Sequence, residues 1–348
     1  MRIRWVQLLE FRNYRTLSYS PSPKLNILSG RNAQGKTNLL EGLAVLVTGR
    51  SFRTSRLAEL PRWGASSALI SGEISRGEGV RTLRRTLQQG EDGTWRPSGE
   101  RCEWARVIAF DWQDLVILHG APSARRNFLD GFAGRLYASH LPGLIRYRKI
   151  LARRAVLLQA GQADRLAPWD EQLAVVGTEL LGRRRAAAAA LQTELARVYP
   201  ALAGEPKKVE IGYRASLEAT EPAAFVAALE RARREELRRG QTLVGPHRDD
   251  LLIELDGVDA RVFGSRGQQR LLALALRLAE VLPVGEATGT PPVLLLDDAL
   301  SELDPHVRAN ALREIQAAEQ VFLTTAEPAL PEIDAPRWEV REGGLVAA

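Results

Sequence analysis

The sequence predicts an α/β fold: a mixed sheet around a phosphate-binding loop, an antiparallel β part, and an inserted, mainly helical arm. Three observations predict it. The apolar segment Lys24 to Ser29 runs straight into a glycine-rich turn and then into an apolar-periodic helix from Lys36 to about Val47. Far downstream, the wholly apolar run Val293 to Leu296 ends in two acids, as a buried strand of such a sheet does. Between these, residues 121 to 240 change to long helical stretches.

In chain order, residues 3 to 9 and 24 to 29 read as short strands. From Ser67 to Phe110, alternating segments broken by Gly77, Gly79, Gly90 and Gly93 read as antiparallel strands and hairpins. In the arm, helices are expected over Arg146 to Leu158, Asp170 to Val198 and Pro222 to Arg239. Leu173, Val176 and Leu180, then Leu191, Leu195 and Val198, keep three-four spacing; Pro200 is expected to stop the second helix. After Gly240, Leu251 to Val258 reads as a hairpin turning at Asp256-Gly257, followed by a helix from Gln268 to Leu282, the strand Val293 to Leu296 and a further strand Val321 to Thr325. The expected domains are therefore 1–120 with 241–348, and an inserted arm over 121–240.

Composition narrows the class. With 348 residues, 45% hydrophobic and 26% charged, the chain has the mix of a folded protein of about two domains. A single cysteine, Cys102, forms no internal disulfide, no leader or membrane span is evident, and the reading is cytoplasmic. Net charge is +6, carried by 48 basic residues of which only five are lysine. The arm holds 21 basic and 13 acidic residues, which suits a polyanion such as DNA. Arg125, Arg126, Arg146, Arg148, Lys149, Arg153 and Arg154 form its densest basic stretch. The same charge also serves a solvated helix face, or an arm that binds protein. The four histidines do not cluster at metal-ligand spacing.

The chemistry lies in a set of motifs. Gly30-Arg31-Asn32-Ala33-Gln34-Gly35-Lys36-Thr37, with Asn38 following, is a phosphate loop: backbone N–H groups converge on phosphate at a helix N-terminus, Lys36 reaches the β and γ phosphates, and Thr37 ligates Mg²⁺. Val293 to Asp298 has the Walker B form, with Asp297 holding the metal through its shell and Asp298 orienting or deprotonating the attacking water. Ser265, Gly267 and Gln268 match the S-G-G-Q core of the ABC-type signature, with Arg266 replacing its first glycine. One subunit cannot close both the phosphate loop and this signature on the same nucleotide, which implies an ATP-dependent homodimer. Ser301 to Asp304 has the form of the loop that crosses between paired heads, so Asp304 is expected near the nucleotide. Thr324 or Thr325 stands where a switch histidine is common.

The order of these pieces resembles the ATPase heads of the SMC, RecN and RecF group, a branch of the ABC-type ATPases, and most closely its RecF family. Leu9-Glu10-Phe11-Arg12-Asn13-Tyr14 is similar to the family's L-x-x-F-R-N-Y opening. Gly49 to Arg53, Arg125 to Asp130 and Gly245 to Asp250 are similar to its later blocks, so the likeness spans nearly the whole chain. An SMC or RecN chain would carry hundreds of residues of coiled coil where this one has only the arm. The resemblance implies an ATPase with ATP and Mg²⁺ as ligands, acting in recombinational repair and replication restart. It also implies duplex or gapped DNA as partner, and action with RecR and RecO to bring RecA to gapped DNA. By the same resemblance Arg12 touches the nucleotide, and Gln113, within Asp111 to Asp114, couples the nucleotide to the arm. The expected mechanism is an ATP-induced head-to-head dimer that clamps DNA and releases it on slow hydrolysis. The alternative is a nucleotide-gated protein scaffold that does not bind DNA directly.

Overall fold

The computed structural model describes residues 1–326 and 335–347. The chain divides into two compact units, Met1–Asp114 with Pro200–Glu205 and Leu274–Ala348, and Leu115–Tyr199 with Pro206–Ala273. The expected arm, 121–240, is thus smaller than the second unit, which also takes in 115–120 and 241–273.

The first unit contains β1 (Arg2–Phe11), β2 (Tyr14–Tyr19), β3 (Leu25–Ser29), α1 (Lys36–Thr48), β4 (Ser67–Arg76), β5 (Gly79–Gln89), β6 (Trp95–Ser98) and β7 (Val107–Phe110). The second unit follows with α2 (Val116–His119), α3 (Pro122–Leu136), α4 (His140–Gln159), α5 (Ala167–Ala203, its last turn counted with the first unit), β8 (Val209–Arg214), α6 (Pro222–Arg239), β9 (Asp250–Leu255), β10 (Val258–Asp259), α7 (Ala260–Phe263) and α8 (Arg266–Leu278, counted with the first unit from Leu274). The chain then returns through α9 (Val281–Thr288), β11 (Val293–Leu296), α10 (Pro305–Glu314), β12 (Gln320–Thr325), β13 (Arg337–Arg341) and β14 (Gly344–Ala347).

Two sheets build the first unit. An antiparallel sheet has the order β2-β1-β4-β5-β6, and a mixed sheet has the order β14-β13-β3-β12-β11-β7. The α/β reading of the sequence therefore holds. One strand differs from expectation: Val107–Phe110 does not extend the antiparallel hairpins but pairs parallel with β11, Val107 opposite Val293 and Phe110 opposite Leu296. Its unbroken apolar character is that of a strand covered on both faces.

Helix α1 lies between the two sheets because it is apolar almost all round. Leu39, Leu40, Leu43, Leu46 and Val47 are buried in one core with Val6, Leu8, Ile70 and Leu83 of the antiparallel sheet and Leu295 and Phe322 of the mixed sheet. Glycine allows this approach at Gly72, where a Cβ would stand 2.5 Å from both Leu46 Cδ2 and Trp5 O.

In the second unit, α4, α5 and α6 pack around Tyr147, Ile150, Leu173, Leu180, Phe225 and Leu229 beside the sheet β10-β9-β8. Asp256 and Gly257 both have positive φ, 52° and 78°, as the expected Asp-Gly hairpin turn requires. Pro200 does not stop α5, which continues to Ala203 before Gly204 N–H closes it on Pro200 O at 2.9 Å. So near a helix end, proline removes only one internal hydrogen bond and leaves a single turn beyond it. The expected 268–282 helix is two helices, α8 and α9, separated at Ala279 and Glu280. Among the described residues, no helix is long and apolar enough to cross a membrane.

Candidate nucleotide site

The phosphate loop joins β3 to α1, and its shape rests on two glycines. Gly30 has φ 142°, and a Cβ there would lie 2.6 Å from Val340 O; Gly35 has φ 115° and caps α1. Ala33 also lies in the left-handed region, φ 66°. Arg31, Asn32 and Ala33 are exposed at the loop's crest. Lys36 is buried, and its Nζ donates to Gly30 O at 2.6 Å and Arg31 O at 3.1 Å, so the amine ties the loop to itself. Burial holds the Lys36 amine below its ordinary value, against the opposing pull of Asp298 and Asp297.

The parallel register brings the Walker B acids to this loop. Thr37 Oγ1 donates to Asp297 Oδ2 at 2.7 Å, and Thr324 Oγ1 donates to Asp297 Oδ1 at 2.7 Å. Thr324 Oγ1 also accepts from Asp298 N at 2.8 Å. Thr324, one of the two candidate switch residues, thus touches both acids. Asp298 is exposed and held at φ 49°, a conformation fixed by Thr324 on one side and by Ser301 Oγ donating to Asp298 O at 2.9 Å on the other. Asp304 is exposed at the start of α10.

The donor set suits magnesium. A hydroxyl and a carboxylate, both hard oxygen donors, meet beside the phosphate loop, and Mg²⁺ is typically held by one or two carboxylates together with substrate phosphates. No group of three or more His, Cys, Asp or Glu among the described residues forms a self-sufficient metal cage.

Gln113, expected to couple the nucleotide to the arm, is exposed, and its N–H donates to Asp111 Oδ1 at 2.8 Å. Asp111 and Asp114 on either side of it are buried, and Asp111 is pushed up to about 6 by burial and then by the neighbouring carboxylates Asp114 and Asp297. The sequence does carry a signal for it: Val107 to Phe110 followed by Asp111 is an apolar strand ending in an acid, the same form as Val293 to Asp297.

A second layer braces the loop. Asn13 Nδ2 donates to Gln34 O at 3.0 Å and Tyr14 Oη donates to Gly35 O at 3.0 Å. Arg12 Nε and Nη2 each donate to the fully buried Glu41 at 2.7 Å. Ser51 and Arg53 reach the same carboxylate at 2.5 and 3.3 Å, and Arg53 also donates to Asn38 Oδ1 at 2.9 Å. Two motifs distant in sequence thus meet on one carboxylate. Arg12, expected at the nucleotide, spends two of its nitrogens on Glu41.

In the second unit, Ser265 caps α8. Ser265 N donates to Gln268 Oε1 at 2.9 Å and Gln268 N donates to Ser265 Oγ at 3.2 Å, a reciprocal capping box. Ser265, Arg266 and Gly267 are exposed, as are Val262 and Phe263 just before them.

The basic stretch splits in two. Arg125 and Arg154 are buried and leave the expected DNA surface: Arg125 forms a bidentate pair with Asp250 at 2.7 and 3.0 Å, while Arg154 bonds Asp170 and Glu236, each at 2.6 Å. Unpaired guanidinium groups in such places would cost several kcal/mol, so the carboxylates are their structural counterions. Arg146, Lys149 and Arg153 are exposed at three-four spacing on one face of α4, and none forms an ion pair among the described residues. Arg148 lies about half a turn round the helix from Arg146. Arg126 is half-buried and donates to Asp249 O at 2.7 Å.

The chain's residues 2–333 match the family model described as the RecF/RecN/SMC N terminal domain. A relative from Synechococcus sp. (strain JA-3-3Ab), named DNA replication and repair protein RecF, is 38% identical over 346 residues, 93% of this chain and 91% of the relative. A solved structure titled as the recombination mediator protein RecF with ATP in the RecFOR pathway superposes with a TM-score of 0.87 at 27% identity, covering 100% of this chain and 99% of that one. An Smc head bound to the C-winged helix domain of ScpA shares the fold alone, with a TM-score of 0.59 at 14% identity and coverage of 100% and 98%.

Proposed function

We propose a function from one premise: this chain belongs to the RecF family, within the RecF/RecN/SMC group of ABC-type ATPases. On that premise it is an ATP-binding protein of DNA replication and repair. The observation that carries the nucleotide reading is Asp297, shared at 2.7 Å between Thr37 of the phosphate loop and Thr324 of β12.

In the mechanism we infer, the loop N–H groups and Lys36 take the β and γ phosphates, and Thr37 and Asp297 would hold Mg²⁺, which would add positive charge where phosphoryl transfer builds negative charge. Asp298 orients a water and takes its proton as the oxygen attacks the γ phosphorus; the bond to the ADP oxygen breaks and phosphate leaves. The Ser265 to Gln268 segment, exposed at Ser265, Arg266 and Gly267, closes with Asp304 on the nucleotide of a second copy, giving a head-to-head dimer. The arms then grip duplex or gapped DNA through Arg146, Lys149 and Arg153, contacting phosphates without reading bases. Hydrolysis removes the bridging phosphate and releases the DNA, so ATP times residence on a site where RecR and RecO bring RecA. The cytoplasm is the compartment this function requires.

The test is steady-state ATP hydrolysis against protein concentration, with and without duplex DNA at one low salt. A rate rising as the square of concentration and stimulated by DNA supports the paired, DNA-gated site. A linear, DNA-indifferent rate from a monomer overturns it in favour of a self-sufficient ATPase or a protein scaffold.

A further inference from the structure

Apart from the nucleotide site, the second unit contains a cavity of about 160 Å³ between the first turn of α3, the middle of α4 and the Pro246-His247 turn. It has room for several waters. Arg126, Arg148 and Arg184 line it, against a single carboxylate, Asp130. That carboxylate is already spent, because Arg184 holds it with two bonds of 2.8 Å and His140 Nε2 lies 2.9 Å from it. His247 adds no charge at neutral pH, since burial lowers it to about 4. Arg126 meets no carboxylate at ion-pair distance, and Arg148 has neither ion pair nor hydrogen bond, among the described residues. Burial and then the nearby Arg184 cation hold Arg126 below its ordinary value, against the weaker opposing pull of Asp250, Asp249 and Asp130. Ser123 and Asn127 supply neutral donors on the same wall.

We propose that this cavity is a phosphate-binding site, distinct from the nucleotide site, in which Arg126 and Arg148 clamp one phosphate group and Ser123 and Asn127 complete its hydrogen bonds. Guanidinium pairs match phosphate oxygens in geometry as well as charge. The phosphate is either free or the terminal phosphate of a nucleic-acid strand, since a cavity of about 160 Å³ takes one group rather than a run of continuous backbone.

The experiment is calorimetric titration of inorganic phosphate into the full chain with its nucleotide site first saturated with ADP and Mg²⁺. Saturable uptake of one phosphate per chain is expected, weakened at least tenfold in Arg148→Ala, whose exposed side chain leaves the fold intact. A second arm compares duplexes carrying 5′-phosphate and 5′-hydroxyl ends. A preference for the phosphate that disappears in Arg148→Ala identifies the strand end as the source, and uptake of inorganic phosphate alone identifies the free ion. The free-ion arm stands without any duplex binding, so its failure is separate from failure of the DNA reading. No saturable uptake, uptake unchanged in Arg148→Ala, or equal saturation by glutamate, which would mark a site for protein carboxylates, overturns the proposal.

Discussion

Asn13 stands directly beneath Gly35: a Cβ added to that glycine would lie 2.5 Å from the Asn13 amide nitrogen, which itself donates to Gln34 O at 3.0 Å. The β1–β2 turn is therefore a mould for the phosphate loop. Gly35→Ala should abolish ATP binding, and adding Asn13→Ala should not restore it, because φ 115° remains unfavourable for a side chain even after the clash is removed. Asn13→Ala alone removes two hydrogen bonds, the one it donates to Gln34 O and the one its Oδ1 accepts from Asn38 Nδ2, and should weaken binding by about 1–2 kcal/mol. Equilibrium titration with a fluorescent ATP analogue reads all three.

Lys36→Met should remove ATP-dependent dimers altogether, whereas Asp298→Asn should bind ATP normally and accumulate a DNA-bound dimer that fails to turn over. Sedimentation with ATP and duplex separates the two variants. Hydrolysis at the parent's rate in Asp298→Asn would assign the water to another group.

Ser265→Arg should leave nucleotide binding by the monomer unchanged and block pairing, because Ser265 is exposed and caps only its own helix. Loss of the cap itself lowers stability by about 1 kcal/mol. A melting temperature near the parent's, with dimer absent in ATP, is the expected result; loss of ATP binding by the monomer contradicts it.

Asp111 predicts a pH dependence with a definite sign. Its carboxyl titrates at about 6 in the fold and near 3.8 when unfolded, so between those values the native state binds the extra proton and stability falls as pH rises. Asp111→Asn should therefore exceed the parent in stability above pH 6, by on the order of 3 kcal/mol, with the advantage fading towards pH 4. Urea midpoints at pH 5 and pH 8 measure it.

Replacing Arg146, Lys149 and Arg153 together by glutamine should weaken duplex binding for every sequence alike. The slope of log affinity against log salt should shrink by about 0.9 for each DNA phosphate that the triple variant leaves without a cation. An unchanged slope would remove this face from the DNA surface.

What was legible in the sequence was what is determined locally. The phosphate loop, the Asp-Gly turn and the apolar strand before Asp297 all carry their constraint within a few residues. The fate of the arginines was not legible, because their counterions lie far off: Arg125 meets Asp250 across 125 positions and Arg154 meets Glu236 across 82. A basic stretch reads the same whether its guanidinium groups meet water or a buried carboxylate. The bracing role of Asn13 and Tyr14 was similarly hidden, since both act on backbone carbonyls, which no motif displays. Gln113 stands out by residue type, while Asp111 two positions earlier carries the perturbed chemistry.

The order of the mixed sheet also bears on how the protein is made. Strand β3, which launches the phosphate loop, pairs among the described residues with β12 and β13, laid down some 300 residues later. During synthesis that strand emerges early and waits without neighbours while the whole helical unit is translated. Parallel pairing over such separations is slow, and an unpaired apolar edge is prone to aggregation in the meantime. The nascent chain thus holds no assembled phosphate loop until β12 has cleared the ribosome, and nucleotide capture becomes one of the last events in its maturation.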